Sequence, residues 1–550
     1  MKLSIAEKIK VASKGLRGTL KESLLDEHTG ALREDDQILV KFHGMYQQDD
    51  RDRREQRAEK RLERLYSYMI RLRLPGGYLT AAQWVASQKI AGENASGVIK
   101  VTTRQTIQLH GILKSKIKPT IKAFNQHILD SIAACGDVNR NVVMPSYPIK
   151  SAHEAELRSL ANSISEYLKP KSRAYYEIWL DEEKIAERVE EDLLYEDRYL
   201  PRKFKVAIAM PPNNDVDVYT NDVGLIAIVE KDQIIGYNVT IGGGMGATHG
   251  NKSTYPKMAS TIGFVRGTEN ALKAVYEIAT VQRDYGNRED RKLSRLKYTV
   301  EKFGIPFLKT EIEKRLGFKF EEERSVVFTQ REDVYGWNKS DNGFWRHTLF
   351  IENGRIFDTE TIQLKTAILK ITEANLANVR FSCHQNLILV DIDESNKAKV
   401  DALLAEYGVS SYNESVSKIR KNAMACVAFN TCPLALAEAQ RYMPAFISKV
   451  EPLLLKYNLQ NENIIMRMTG CPNGCARPYA AEIGLVGTAL GLYNLYLGAD
   501  RLGLRVNKLF KENLNETALL TELDRLFYQY SIERKNDETL GDFCCRVILP

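Results

Sequence analysis

The chain has 550 residues, too many for one hydrophobic core, and is expected to divide into several domains. Its hydrophobic (44%) and charged (27%) fractions are those of an ordinary soluble protein, and the net charge of +7 is too diffuse to argue for nucleic acid. The opening MKLSIAEKIKVASKG lacks a signal peptide's apolar core, and no run nears the ~18 apolar residues of a membrane span. Eight cysteines in this length make no disulfide framework, so a reduced, cytoplasmic chain is expected.

Residues 1–65 carry few large apolar side chains apart from Ile38, Leu39, Val40 and Phe42. Their stretch 49–64 (DDRDRREQRAEKRLER) alternates in sign, which predicts a solvated helix laced by i,i+4 pairs. From 66 to 135 the pattern turns compact. A strand over 68–74 meets the turn Pro75-Gly76-Gly77, and a helix follows over 81–90. A strand over 98–103 resumes at 107–109, and a helix follows near 117–134, together a small α+β sandwich. In 136–335 strands fit 175–180 and 205–210, and a hairpin joins 225–229 to 234–241. A glycine loop (242–246) and helices over 268–283 and 309–316 complete that region.

Residues 336–414 read as a second copy of the sandwich. Asn353-Gly354 falls 277 residues after Gly76-Gly77, and Gln385 falls 280 after Gln105. Two related halves would place a ligand at their shared interface, closed by the last region, 415–550. A helix is expected directly after Cys432, with Pro433 in its first turn.

That last region holds Cys426 and Cys432 in a C-x5-C pair, and Cys471 and Cys475 in a C-x3-C pair. Four thiolates on two tight loops suit an iron–sulfur cluster or a tetrahedral metal, and C-x5-C fits structural zinc poorly. Inert core thiols remain the plain alternative. Cys135 and Cys383 read as small core residues, and the adjacent Cys544 and Cys545 are poorly placed to pair. The loop GGGMGATHGNK follows a hairpin and opens no periodic helix, so it fails as a dinucleotide fingerprint. Close backbone approach to a large ligand is the better reading.

TCPLALAEAQRY with TGCPNGCARP resembles the cluster-and-cofactor motif of the sulfite and nitrite reductase hemoproteins, the siroheme–4Fe-4S family. KFHGMYQQDDRD, RLPGG, TTRQTIQLHGI, NRNV, LPRKFK, HGNKSTY and FIENGRI agree in order and wording, most like the assimilatory NADPH-linked, sulfite-reducing branch. The resemblance implies an α+β, pseudo-twofold duplicated fold. Two ferredoxin-like half-domains (66–135 and 336–414) and two larger α+β domains (136–335 and 415–550) would surround a central cofactor, after an N-terminal extension (1–65).

The same resemblance implies siroheme and a 4Fe–4S cluster as cofactors, ligated by Cys426, Cys432, Cys471 and Cys475, with Cys475 bridging to the siroheme iron. Arg73, Arg140, Lys203 and Lys205 match the cations around sulfite, and Lys100, Arg104, Arg202 and Lys297 match those on siroheme carboxylates. His384 stands where the second half would repeat Arg104, so that half is expected to have lost its anion-binding role. Lys100 replaces an expected Arg, Thr103 an expected Asn, and Ala476-Arg477-Pro478 departs from the family wording. With no nicotinamide or flavin site, the chain needs a donor, implied to be a separate flavoprotein (alpha) subunit carrying FAD and FMN, with 1–65 a candidate docking arm. A ferredoxin-dependent sulfite or nitrite reductase is the rival within the family, although Lys205 favours sulfite. A zinc-scaffolded, anion-binding protein is the rival outside it.

Overall fold

The computed structural model describes residues 3–183 and 192–549. In chain order its strands begin with β1 (Met45–Asp49), β2 (Tyr66–Arg71), β3 (Tyr78–Leu79), β4 (Ile99–Val101) and β5 (Ile107–Ile112). Next come β6 (Val206–Ala209), β7 (Val223–Glu230), β8 (Gln233–Ile241) and β9 (Ser260–Arg266). The second half adds β10 (Gly336–Lys339), β11 (Trp345–Leu349), β12 (Arg355–Ile356), β13 (Asn378–Phe381) and β14 (Leu387–Ile392). The last are β15 (Ala423–Ala425), β16 (Met466–Thr469), β17 (Ile483–Ala489), β18 (Leu492–Leu497) and β19 (Lys508–Leu514).

Two antiparallel sheets, ordered β1-β2-β5-β4-β12 and β10-β11-β14-β13-β3, are the predicted repeat. Each half lends the other a two-residue strand: Tyr78 and Leu79 pair with Arg380 and Val379, and Arg355 and Ile356 pair with Lys100 and Ile99. The crossing requires glycine. Gly77 (φ 74°) and Gly354 (φ 70°) are left-handed, and a Cβ would fall 2.8 Å from the Gln105 Cβ and 2.4 Å from the Val101 carbonyl oxygen respectively. In the first half Thr80 then caps the helix Ala81–Asn94, with Gln83 completing a capping box.

A second repeat, unforeseen in the sequence, relates the other two sheets. The β6-β7-β8-β9 sheet and the β16-β17-β18-β19 run share one pattern, a parallel pair followed by two antiparallel ones. Each ends in a long helix, Gly267–Tyr285 or Glu516–Glu533. Pro212-Asn213, Tyr219 and Gly224 recur 260 residues later as Pro472-Asn473, Tyr479 and Gly484. Both pairs of domains are therefore duplicated. One core runs from Leu16 to Val409, and the last domain packs its own from Ile419 to Leu549.

Local expectations differ at five places. Residues 175–180 form a helix, Ala174–Trp179, because the buried Tyr175, Ile178 and Trp179 recur at i, i+3 and i+4. No helix follows Cys432: the N–H groups of Leu436 and Ala437 donate to the Gly470 carbonyl and that of Gln440 to the Cys426 carbonyl, so the first helix is Met443–Lys456. The helix near 117–134 runs instead over Lys114–Gln126, and Ile128 and Ala133 beyond it are left-handed. The 68–74 strand begins and ends earlier, as β2. The stretch 49–64 starts as the end of β1, and only Arg54–Glu59, after a 3-10 turn at Arg51–Arg53, is α-helical, on the surface as expected. No helix among the described residues is long and apolar enough to cross a membrane.

His43 joins the N-terminal segment to this frame. Its Nε2 bonds the Leu16 carbonyl (3.1 Å) and its Nδ1 accepts from Trp179 Nε1 (2.9 Å), which fixes a neutral ring. Burial pushes its pKa down to about 4 from an ordinary 6.5. The unfolded chain therefore takes up this proton first as pH falls, so the stability is complete above pH 6.5 and lost toward pH 4. Between pH 6.5 and 5.5 the wild type should lose about 1 kcal/mol that a His43→Gln variant does not, read as a difference in denaturation midpoints.

Candidate functional site

Strands β15 and β16 are parallel neighbours, with Ala425 beside Met468, so the loops leaving their C-terminal ends start side by side. This brings the C-x5-C and C-x3-C pairs together. Gly470 N–H points at the Cys426 Sγ (3.4 Å) and Asn473 Nδ2 at the Cys471 Sγ (3.5 Å). A side chain at Gly470 would fall 2.4 Å from the Ala437 carbonyl oxygen, so only glycine lets the loops close. The expected glycine loop lies against them: Ala247 N–H donates to the Pro472 carbonyl (2.8 Å).

Burial raises the Cys432 pKa to about 12 and that of Cys426 well above the thiol range, and the Cys471 and Cys475 charges push Cys426 further. Burial, then Cys475, raises Cys471 as well. Four thiols within each other's field cannot ionise together without a multivalent cationic group among them. Among the described residues no three His, Cys, Asp or Glu side chains close up as a single metal ion demands. In a 4Fe–4S cluster each cysteine thiolate binds one iron corner of the cube from outside, so the four need not converge on one point.

The stretch expected to be merely solvated covers these loops. Arg51 Nη1 donates to the carbonyls of Cys432 (3.2 Å) and Ala435 (2.6 Å), and its guanidinium lies 4.2 Å from the Phe429 ring centroid. Arg51→Ala should leave the fold intact and loosen this loop. Iron release to a chelator should accelerate about tenfold relative to wild type, followed by bleaching of the cluster absorption.

Arg104, Arg140, Arg202, Lys203, Lys205 and Lys297 lie within one another's field, with Lys203 and Lys205 close enough to Cys475 to feel its charge, while Lys100 lies nearer Cys426 and Arg355. Lys203 and Lys205 flank Phe204 just before β6, both half-buried, and neither ammonium has a hydrogen-bond or ion-pair partner among the described residues. Burial, then Arg202 and Arg295, lowers the Lys203 pKa to about 7; burial, then Lys203, takes Lys205 well below the lysine range. Burial likewise brings Arg104 to about 9 and Arg202 to about 10. Arg104 is held by the Asn141 and Val206 carbonyls and Asn221 Oδ1, and Arg140 by the Gly136 carbonyl (2.9 Å). Lys100 donates to the Asn353 carbonyl, and burial lowers it to about 7. Lys297 clamps the glycine loop through the carbonyls of Gly244 (3.1 Å) and Gly246 (2.7 Å).

Arg73 does not join them. Its guanidinium grips Asp130 through Nε (3.1 Å) and Nη2 (2.8 Å) and donates to Ser165 (3.0 Å) and Glu166 (2.6 Å). Burial opposes its charge, but Asp130 and Glu166 outweigh it and hold the pKa above the arginine range. Arg71 stands on the inner side instead. Ladder register puts Arg71, Gln108, Lys100 and Arg355 in one cross-strand row, and Arg71 Nη2 donates to Gln108 Oε1 (2.8 Å) and Nη1 to the Cys135 Sγ (3.4 Å). RLRLPGG contains both arginines; only the register separates them.

Asp222 was also missed. It accepts from Arg295 on both oxygens (3.0 and 2.8 Å) and from the Lys205 backbone N–H (2.9 Å). Its repeat mate Glu482 accepts from the N–H of Ile465, the mate of Lys205, at 3.0 Å. The carboxylate-to-strand bond is thus architectural in both halves, and the first half adds Arg295 to it.

Residues 61–127 and 338–407 match the nitrite/sulfite reductase ferredoxin-like half domain, and 159–320 match the nitrite and sulphite reductase 4Fe-4S domain. The chain is 58% identical over 547 residues, 99% of its length, to the sulfite reductase [NADPH] hemoprotein beta-component of Leptospira biflexa, 98% of which is covered. It belongs to the sulfite reductase [NADPH] hemoprotein beta-component family. The Staphylococcus haemolyticus member is 49% identical over 99% of this chain and 95% of its own. The solved NirA protein of Mycobacterium tuberculosis has the same fold, with a TM-score of 0.79 at 22% identity, covering 100% of this chain and 97% of that one. The duplicated α+β architecture is that of this reductase family, and an iron–sulfur cofactor goes with it. The 4Fe–4S match falls on the first copy of the 260-residue repeat, whereas the four cysteines stand in and beside the second.

Proposed function

We propose that this chain reduces sulfite to sulfide: hydrogensulfite takes up six electrons and six protons and yields hydrosulfide and three waters. The observation that carries this reading is the pair of half-buried, unpartnered ammonium groups of Lys203 and Lys205, set among guanidiniums beside Cys475. Cations crowded this closely need anions among them. The four thiols fit a 4Fe–4S cluster, and the surplus of cations fits siroheme, a macrocycle with eight carboxylates. Lys100, Arg104, Arg202 and Lys297 would hold its carboxylates, and Cys475 would be the thiolate shared with the cluster. When bound, these groups supply the electron path and the iron at which sulfite reacts.

The chain's own part is to bind, orient and protonate. Arg140, Lys203 and Lys205, with Arg71 in the place expected for Arg73, would hold the sulfite oxygens. The two lysines, their pKa values brought down by burial, would release protons as each S–O bond breaks. Electrons would come from a separate flavoprotein carrying FAD and FMN, docking in the cytoplasm where the exposed helix Arg54–Glu59 follows the Arg51 clamp on the Cys432 loop. The test is the purified chain from a host able to make siroheme. Siroheme absorption, iron with acid-labile sulfide, and sulfite turnover with a chemical reductant are expected; a colourless, zinc-containing protein would sink the reading.

A further inference from the structure

The segment that carries Arg140 and the one that carries Arg202, Lys203 and Lys205 are zipped together. Leu200 N–H donates to the Asp137 carbonyl (3.1 Å), Phe204 N–H to the Val138 carbonyl (3.0 Å) and Arg140 N–H to the Phe204 carbonyl (2.8 Å). Asp137 stands at the end of this zipper with a buried side chain. Arg291 grips both of its oxygens, at 2.7 and 2.9 Å. Two further cations divide the carboxylate between them, the Lys10 ammonium 3.5 Å from Oδ2 and the Arg202 guanidinium 3.9 Å from Oδ1. Burial opposes the Asp137 charge, but Arg291 and then Lys10 outweigh it and hold the pKa below the carboxylate range.

Lys10 reaches this point from the N-terminal helix Ile5–Ala12, which buries Ala6, Glu7 and Lys10. Its ammonium donates to the Leu200 carbonyl (2.7 Å) and pairs with Glu7, which pairs in turn with Arg288. Arg288 donates to the Tyr199 carbonyl (2.8 Å), and Ser4 N–H donates to the Arg288 carbonyl (3.0 Å). The helix is thus pinned at both ends beside the Arg202 segment. Arg202 is held more loosely. Its side chain is 31% exposed, and Asp137 is its one ion-pair partner among the described residues, at a distance beyond hydrogen bonding.

We propose, on the reading that Arg202 holds a siroheme carboxylate, that Lys10 is a positioning residue for it: the ammonium shares Asp137 from the far oxygen and leaves the guanidinium free to turn to the cofactor. A carboxylate has about four acceptor sites and Arg291 fills two, so Arg291 alone does not saturate Asp137. Without the Lys10 charge the pull of Asp137 on Arg202 would grow, and Arg202 would close on Asp137 and leave the cofactor. The N-terminal region thereby enters the cofactor site through one side chain.

Siroheme release tests this, followed as loss of visible absorption at a temperature below the unfolding midpoint. Lys10→Met keeps the aliphatic stem and leaves each buried carboxylate a guanidinium, Glu7 with Arg288 and Asp137 with Arg291, so the variant is expected to fold. Release should accelerate about tenfold in Lys10→Met and at least as much in Arg202→Met, and the double variant should release no faster than Arg202→Met alone. A purely structural Lys10 would instead add its effect to that of Arg202→Met. Additive rates, or unchanged release in Lys10→Met, would overturn the proposal alone, whereas a wild-type chain that takes up no siroheme would sink the proposed cofactor site with it. If Lys10→Met does not fold, crystals of the native holoenzyme decide: Lys10 on Asp137 with Arg202 on a siroheme carboxylate is expected, and Arg202 hydrogen-bonded to Asp137 instead would overturn it.

Discussion

Cys475→Ser is expected to abolish sulfite turnover, a loss beyond about 10⁴-fold, while the chain still folds. Cys475 is the exposed member of the four thiols, so the change of sulfur to oxygen leaves the core untouched. Its turn is secured independently, by the Ala247 bond to Pro472 and by Arg477, which holds Asp217 and the Thr103 and Cys383 carbonyls. What changes is ligand chemistry, since a serine oxygen is a hard, weakly acidic donor where iron–sulfur chemistry calls for a soft thiolate. Two measurements separate a failed ligand from a failed fold. Circular dichroism and the thermal midpoint of the metal-free chain should match wild type, while iron, acid-labile sulfide and siroheme absorption fall. A variant that retained full cofactor content and turnover would remove Cys475 from the site.

How much of this was legible depended on how local the chemistry is. The cysteine pairs sit in short motifs and were readable because β15 and β16 need only lie side by side to join them. Lys203 and Lys205 were named through the family wording of LPRKFK, and the structure sets them on either side of Phe204, just before β6. The 277–280-residue repeat showed because its turns keep their glycines. The 260-residue repeat did not, because its mates have diverged at the functional positions, Asp215 standing opposite Cys475 and Asp217 opposite Arg477. Arg71 and Arg73 could not be told apart without the register that sets Arg71 opposite Gln108. The Lys10 bond to Leu200 joins residues 190 apart, a separation at which spacing carries no signal.

Lys205→Met should lower kcat/KM for sulfite by about 10² to 10³-fold, near 3–4 kcal/mol of lost stabilisation, with cofactor content unchanged. Methionine keeps the apolar stem and removes only the ammonium. The backbone bond from Lys205 N–H to Asp222 is retained, and so is the strand it anchors. The pH profile identifies the role. Burial and then the Lys203 charge lower the Lys205 pKa, and Lys203 itself lies near 7 without an anion beside it. A bound anion favours the charged form of both, so their working pKa values lie higher than in the bare protein. An ammonium acting as proton donor is active below its pKa and lost as pH rises through it, so the wild type should fall off on the alkaline side. In Lys205→Met that limb should shift or flatten, and Lys205→Arg should restore sulfite affinity more than kcat, because a guanidinium holds an oxyanion but scarcely gives up a proton. A Lys205→Arg enzyme with full kcat would reduce Lys205 to charge alone and move the proton donor to Lys203.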